Sequence, residues 1–184
     1  YQPSTDGAYH SVVYVMNEVP FGWLVRQLHA WGAHMMMVFV LLHMLKVFWT
    51  KAYRPPRELT WVTGSFLFFL TMTFCFSGYL LPWDQLAYWG TTVGSEMGRS
   101  IPLVGEQLLH IIRGGATVTG ATLSRFYALH TVVLPWLVVG LVAGHAVLIR
   151  RLGISKPLQW DGSPWRTTSA TNRRSRGTPS GPSM

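Results

Sequence analysis

The sequence predicts an all-α integral membrane protein, a bundle of transmembrane helices with shorter amphipathic helices at the membrane surface. Two runs, 61–81 and 126–149, contain no Asp, Glu, Lys or Arg. Each is long enough to cross a bilayer, which takes about 20 residues at about 1.5 Å of rise each. The chain of 184 residues is only 12% charged, against about 25% in soluble domains. Its 14% aromatic content suits a protein anchored at membrane interfaces by Trp and Tyr.

A third apolar run, 21–49, completes the predicted spans. It contains Arg26 and Lys46 near its ends, where long cationic side chains can reach the membrane surface. Pro135 lies inside the last run, and we expect it to bend that helix because proline lacks the backbone N–H. Residues 90–125 mix charges with Ile, Leu and Val, which favours amphipathic helices lying at the interface.

The boundaries expected from this pattern are an interfacial lead-in at 1–20, a transmembrane domain at 21–158 and a disordered basic tail at 159–184. The chain begins with Tyr1, and we expect its true start to be missing. It contains one cysteine, Cys75, and no Cys-x-x-Cys-His motif. A disulfide framework, a cysteine zinc site and an iron–sulfur cluster are therefore excluded within this sequence.

The basic residues are distributed unevenly between the two ends of the predicted spans. A net charge of +8 by default suggests a nucleic-acid or anionic-surface partner, but here the basic residues flank apolar runs, so we expect no nucleic acid. Of 15 basic residues, 11 lie at the end of the first span, in the loop that follows it or beyond the last span. The positive-inside rule places that side in the cytoplasm or its equivalent; we call it the inner side.

Four histidines form two pairs inside the first and last spans. His29 and His43 are 14 residues apart, which on a helix means about 21 Å along the axis and about 40° around it. His130 and His145 are 15 apart, or about 22 Å and about 60°. The two spans run parallel, so His29 matches the depth of His130, and His43 that of His145. One membrane histidine can simply hydrogen-bond a neighbouring helix, and His34, about 140° from His29, is expected to be structural. The matched pairs instead predict two bis-imidazole sites, and haem iron is commonly held by axial histidine.

A cation lies close outside each of these histidines. The separation is three residues in the first span, at Arg26 and Lys46, and five in the last, at Arg125 and Arg150. Each expected haem then has two cations between it and the nearer surface. Haem propionates are anions that are expensive to leave unpaired near lipid.

Glycines in the middle and last spans are expected to supply room for a bulky ring. Gly64 and Gly78 are also 14 residues apart, and Gly140 and Gly144 lie on the last span. A side chain at such a position could block the ring, whereas glycine permits close approach.

Several segments in order resemble the cytochrome b family, and most closely its b6 branch. They are residues 21–24, 56–64, 78–85, 101–102, 122–127, 130–131 and 153–155, with sequences FGWL, PRELTWVTG, GYLLPWDQ, IP, TLSRFY, HT and GIS. The resemblance covers about residues 1–158, so the spans correspond to the family's helices B, C and D, and helix A would precede Tyr1. The 15-residue spacing of the second histidine pair and the end of the chain soon after helix D favour the b6 branch.

The resemblance implies a di-haem cytochrome b subunit of a quinol:cytochrome c or quinol:plastocyanin oxidoreductase. It assigns His29 and His130 to the iron of an outer haem b, and His43 and His145 to that of an inner haem b. The implied cofactor-binding residues also include Arg26, Lys46, Arg57, Gly64, Gly78, Arg125 and Arg150. The implied wall of the outer quinol pocket consists of Trp83, Asp84, Tyr88, Trp89 and Gly90.

The resemblance further implies that electrons from quinol pass to a Rieske iron–sulfur protein and, through the two haems, to a quinone at the inner surface. Other implied partners are a subunit carrying the remaining half of cytochrome b, a c-type cytochrome, membrane lipid and a second copy in a dimeric complex. The location would be a bacterial plasma membrane or a thylakoid membrane, with the tail on the cytoplasmic or stromal side. The b6 branch also tethers a haem c to a cysteine in helix A; Cys75 does not match it, so a haem c stays open.

Other classes remain open from the residues alone. A bacterial bc-type cytochrome b split after helix D, or a hybrid complex, differs in electron acceptor but not in haem chemistry. A di-haem membrane anchor of a dehydrogenase or hydrogenase would explain the histidines but not the full series of family segments. A transporter with core histidines and no haem is the remaining alternative.

Overall fold

The computed structural model of the protein describes residues 1–154, which contain helices and no strand. In chain order the elements are α1 (Ala8–Asn17), α2 (Gly22–Trp49), α3 (Glu58–Tyr79), α4 (Gln85–Arg99), α5 (Gly105–Arg113), α6 (Gly120–Ala128), a π-helical turn (Leu129–Val133) and α7 (Leu134–Leu152). The tail expected at 159–184 and the last residues of the expected transmembrane domain lie outside the described residues.

Three helical stretches are long and apolar enough to cross a membrane: Gly22–Trp49, Glu58–Tyr79 and Gly120–Leu152. They correspond to the predicted spans, with shifted ends. The second starts at Glu58, before the predicted uncharged run, because a carboxylate in the first turn is stabilised by the helix dipole. The third starts at Gly120, where the Thr119 N–H donates to Thr122 Oγ1 at 3.0 Å and so satisfies a donor at the helix start.

A π-helical turn precedes Pro135 in the last span. The turn covers Leu129–Val133 and contains His130, and Pro135 follows in the first turn of α7. Proline removes a backbone donor and crowds the carbonyl four residues earlier. The structure accommodates this disruption with a wider turn, an arrangement common at functional sites.

The two ends of the bundle are packed differently. We call the end that carries α4, α5 and α6 the outer end, and the end that carries the loop between α2 and α3 the inner end. The buried hydrophobic residues among those described are Ala8, Leu80, Ala87, Leu109, Val118, Leu123, Phe126 and Leu134. All lie in the outer-end elements or in the adjoining turns of α1, α3 and α7. The outer end therefore has an aliphatic and aromatic core of its own.

Helix α4 has an inverted distribution of polarity. Its buried face carries Thr91 and Ser95, whereas Leu86, Val93 and Met97 on the opposite face are 62–73% exposed. A water-facing helix would show the reverse pattern. The exposed face is therefore suited to lipid or to another subunit.

The polar face of α4 is held by Arg113, which is only 1% exposed. Its guanidinium donates to Ser95 Oγ at 2.8 Å, Glu96 Oε1 at 2.7 Å, the Thr92 carbonyl at 2.7 Å and the Ala116 carbonyl at 3.0 Å. A buried cation with this many acceptors is paired and satisfied. Arg113 thus fixes the end of α5 against α4, a role that its position in an amphipathic segment does not indicate.

Candidate functional site

The outer histidine pair meets across the bundle. The ring centroids of His29, on α2, and His130, in the π-helical turn, are 6.1 Å apart with planes at 84°. An imidazole nitrogen lies about 2 Å from a bound metal ion such as zinc, so two opposed imidazoles on one metal have centroids about 6 Å apart. The observed separation fits a pair of axial ligands.

Helix α3 orients the His130 ring. Its Nδ1 lies 3.1 Å from the Phe74 carbonyl and 3.1 Å from Ser77 Oγ. A carbonyl only accepts hydrogen bonds, and the Ser77 hydroxyl itself donates to Phe74 at 3.0 Å. Nδ1 must therefore carry the proton, which leaves the Nε2 lone pair available for a metal.

The inner pair, His43 and His145, lines one cavity of about 520 Å³ between α2, α3 and α7. His145 Nδ1 lies 2.9 Å from Thr63 Oγ1. The Thr63 hydroxyl donates to carbonyls of its own helix, those of Leu59 and Thr60, both at 3.0 Å. While its single O–H donates to either carbonyl, the hydroxyl accepts from Nδ1–H, and Nε2 is left free.

Two glycines of α3 lie against these imidazoles. A Cβ added to Gly78 would be 2.5 Å from His130 Cε1, and one added to Gly64 would be 3.2 Å from His145 Cε1. The space at these positions is thus occupied by the rings of His130, in the π-helical turn, and His145, on α7. Gly140 and Gly144 have nothing within 4 Å of an added Cβ, so no neighbour among the described residues requires their small size.

The predicted cations are placed unequally. Lys46 and Arg57 line the inner cavity, and Arg57 also donates to the carbonyls of Gly153 and Ile154, each at 3.1 Å. Arg150 is exposed and is not among the residues that line this cavity. Arg57 therefore ties the start of α3 to the end of α7 as well as facing the cavity.

At the outer end, the predicted cations have partners of different strength. Arg26 is half-buried, and its Nη1 lies 3.7 Å from Met16 Sδ, a weak acceptor. Arg125 Nη1 donates to the backbone carbonyl of Ile111 at the end of α5. Arg26 is thus the less constrained of the two.

The residues expected in the wall of an outer quinol pocket lie around the start of α4. Asp84 is the N-cap of this helix and accepts from the Ala87 N–H at 2.8 Å. Tyr88 packs edge-on against both Trp83 and Trp89, with ring centroids 5.8 and 5.2 Å away. An added Cβ on Gly90 would be 2.6 Å from the Tyr79 ring. These contacts explain the residue types by packing and capping; none of the five residues lines the 520 Å³ cavity.

Other polar and ionisable side chains near the histidine pairs could bind a metal, bind a ligand or be structural. Residues 1–154 contain no group of three or more His, Cys, Asp or Glu able to hold a metal. Thr60 Oγ1, at the inner cavity, is buried and has no hydrogen-bond partner among the described residues. His34 Nδ1 lies 2.7 Å from the Ala30 carbonyl of its own helix, which agrees with a structural role.

Comparison with known proteins assigns the chain to a protein family. The family described as Cytochrome b/b6/petB matches residues 1–153. The chain belongs to the cytochrome b/b6 family. It is therefore an integral membrane protein, as its membrane-spanning helices also indicate.

Relatives within the family are similar over most of the chain. The cytochrome b6 of Picosynechococcus sp. is 48% identical over 158 residues, which is 86% of this chain and 71% of the relative. The cytochrome b6 of Synechococcus elongatus is 49% identical over 86% of this chain and 74% of the relative. A solved structure described as Hyperthermophilic respiratory Complex III matches with a TM-score of 0.79 and 39% identity over 88% of this chain. The chain spans 44% of that solved chain, less than half of its length.

Proposed function

We propose that this protein is the di-haem cytochrome b subunit of a b6f/bc-type complex. It would carry electrons across the membrane from quinol oxidised on the outer side to a quinone on the inner side, coupled to proton translocation. The observation that carries the proposal is the outer pair, whose ring centroids are 6.1 Å apart and whose His130 Nε2 is free, an arrangement that suits axial ligation. Membership of the cytochrome b/b6 family supports haem b as the group between the rings.

We assign His29 and His130 to the outer haem b, and His43 and His145 to the inner haem b. Each haem, when bound, supplies a site for one electron. Ser77, Phe74 and Thr63 hold the rings of the two α7-side histidines through Nδ1, which fixes the tautomer and the ring direction.

The cations stabilise anionic groups near each surface. Lys46 and Arg57 face the inner cavity, and Arg26 and Arg125 lie on the outer side of the outer pair. Propionates near lipid need such partners because an unpaired charge in a poorly solvated place is costly. A cation there also favours an added electron and so raises the reduction potential. Gly64 and Gly78 leave the histidine rings in position.

Similarity to b6 and Complex III chains supports assembly into a multi-subunit complex. The partners that we propose are those implied by the family resemblance. They are a Rieske iron–sulfur protein, a subunit with the remaining half of cytochrome b, a c-type cytochrome, and a second copy in a dimer. Quinol would be oxidised beside Trp83, Asp84, Tyr88, Trp89 and Gly90. Quinone would be reduced near the inner cavity, whose orphaned Thr60 hydroxyl offers a polar contact. We place the inner end on the cytoplasmic or stromal side, from the distribution of basic residues.

The test is a haem count and a reduced-minus-oxidised spectrum of the purified complex, followed by quinol addition. We expect two low-spin haems b per chain, both reducible by quinol, with reduction of the c-type partner sensitive to loss of the Rieske protein. A complex with no haem b would contradict the proposal in favour of a transporter. Two haems that accept electrons only from a dehydrogenase or hydrogenase subunit would favour a membrane anchor.

A further inference from the structure

The end of α5 holds the guanidinium of Arg125 in place. We call this binding position, formed by the Ile111 carbonyl and Gly114, the seat. Helix α5 ends at Arg113, and Gly114 follows with φ +79° in the left-handed region, its N–H donating to the His110 carbonyl at 2.9 Å. The Ile111 carbonyl belongs to the last turn, where carbonyls lack helical partners. Arg125 Nη1 donates to it. The negative end of the helix dipole adds to this attraction for a cation.

Gly114 lies directly against the same guanidinium. An ideal Cβ on Gly114 would be 2.9 Å from both Cζ and Nε of Arg125 and 3.3 Å from Nη2. Because it would be as close to Cζ as to Nε, it would press on the face of the planar group rather than on an edge. Such a contact is relieved by moving the end of a flexible side chain. A side chain at position 114 would therefore displace Arg125 before it disrupted the backbone.

The seat itself is fixed on its other side. The Arg113 carbonyl accepts from Thr122 Oγ1 at 2.7 Å, which links the end of α5 to the helix that carries Arg125. The buried side chain of Arg113 holds the same turn against α4 through Ser95 and Glu96. The position of the Ile111 carbonyl is thus set by contacts that do not involve Arg125.

The seat leaves one edge of the guanidinium unused. Among the described residues, Arg125 makes a hydrogen bond only through Nη1, so Nε and Nη2 are available. These two N–H groups form the edge that binds a carboxylate with two parallel hydrogen bonds. We propose that Gly114 and the Ile111 carbonyl are positioning elements that present this edge of Arg125 to a carboxylate, the propionate of the outer haem. The inference rests on the proposed function and deepens it.

The test is a redox titration of both haems in the intact complex, with Gly114→Asn as the main variant. Asparagine tolerates the left-handed conformation, so the variant isolates the steric effect of a side chain from backbone strain. We expect the midpoint potential of the outer haem to fall while that of the inner haem stays unchanged. Gly115→Ala is the matched control, because nothing lies within 4 Å of an added Cβ there; both potentials should stay the same.

A double variant decides whether Gly114 acts through Arg125. Arg125→Gln alone should lower the outer potential, and adding Gly114→Asn to it should produce no further shift, since interacting residues are non-additive. If Gly114→Asn does not accumulate, Arg125→Lys serves instead: it keeps the charge but lacks the fork, and it should shift the outer potential less than Arg125→Gln does.

The results that would contradict the seat differ from those that would contradict the proposed function. If Arg125→Gln shifts the outer potential and Gly114→Asn shifts neither, the seat is wrong while the proposed haem role of Arg125 stands. A shift of both haems by Gly114→Asn, or the same shift in the Arg125→Gln background, would also overturn the seat. If Arg125→Gln moves neither potential, both the seat and the electrostatic role of Arg125 fail. The haem count separately reports whether the di-haem function itself is correct.

Discussion

The outer and inner histidine pairs are alike in ligand chemistry and differ in their surroundings. At the outer end, His29 and His130 are already at axial separation beside a buried core that includes Leu80, Leu123 and Phe126. At the inner end, His43 and His145 line an open cavity of about 520 Å³. The outer site is therefore organised by packing within this chain. The inner site depends more on what fills the cavity.

The largest effects should come from the histidines themselves. His130→Leu should abolish the outer low-spin haem signal and His145→Leu the inner one, because each removes an axial bond; His29→Leu and His43→Leu should match their partners. Haem content and low-temperature spectra of each variant provide the measurement. His34→Leu is the control and should retain both haems. Two unchanged low-spin haems in any of the four variants would refute that residue's assignment.

The glycine contacts predict a difference between the two ends. Gly78→Ala places a Cβ 2.5 Å from the His130 ring, which must shift, whereas at Gly64 the corresponding contact is 3.2 Å and a few tenths of an ångström suffice. We expect Gly78→Ala to lose most of the outer haem and Gly64→Ala to keep most of the inner haem. Haem occupancy after purification measures both. Gly140→Ala, which adds a Cβ in open space, should change neither, and equal losses at positions 64 and 78 would contradict the geometry.

Removing the hydroxyl groups that contact Nδ1 should reduce haem affinity by smaller amounts. In this case the inner haem should be affected more than the outer haem. Thr63→Val removes the hydroxyl that accepts from His145, and we expect the inner haem affinity to fall about tenfold, as is typical when such a partner is lost. Ser77→Ala leaves His130 with the Phe74 carbonyl, so the outer affinity should fall less. Haem release during titration with apomyoglobin compares the two variants. A greater loss for Ser77→Ala would show that the carbonyl does not hold the ring.

The cations should have the smallest effects. Arg26→Gln should lower the outer midpoint potential, and Arg57→Gln the inner one, each by about 20–40 mV if the pairing is worth under about 1 kcal/mol. Arg150→Gln should shift the inner potential less than Arg57→Gln, because Arg150 does not line the cavity. Potentiometric titration of the two haems provides the measurement. If Arg26→Gln leaves the outer potential unchanged, this residue extends only to the lipid headgroups.

The fold class and the pairing of histidines could be predicted from the sequence because both depend on periodicity along single helices. Uncharged runs indicated the spans, and the 14- and 15-residue spacings matched His29 with His130. The partners of Nδ1 could not be predicted, since the spacing of histidines along the last span does not specify which side chains of α3 face them. Arg113 was missed for a related reason: a charged residue in an amphipathic segment is usually solvated, and only the folded α4–α5 contact shows that it is buried.

The π-helical turn at Leu129–Val133 explains how the histidine spacings of the first and last spans can differ by one residue. A turn of this kind accommodates one more residue than an α-helical turn does, and this one begins at the residue before His130. The 15-residue interval from His130 to His145 therefore spans nearly the same rotation as the 14-residue interval from His29 to His43. An insertion in this helix can thus be absorbed locally. Deleting Val133 should convert the turn to regular α-helix and leave both imidazoles directed at their partners, so the two spacings are interchangeable solutions to one geometric requirement.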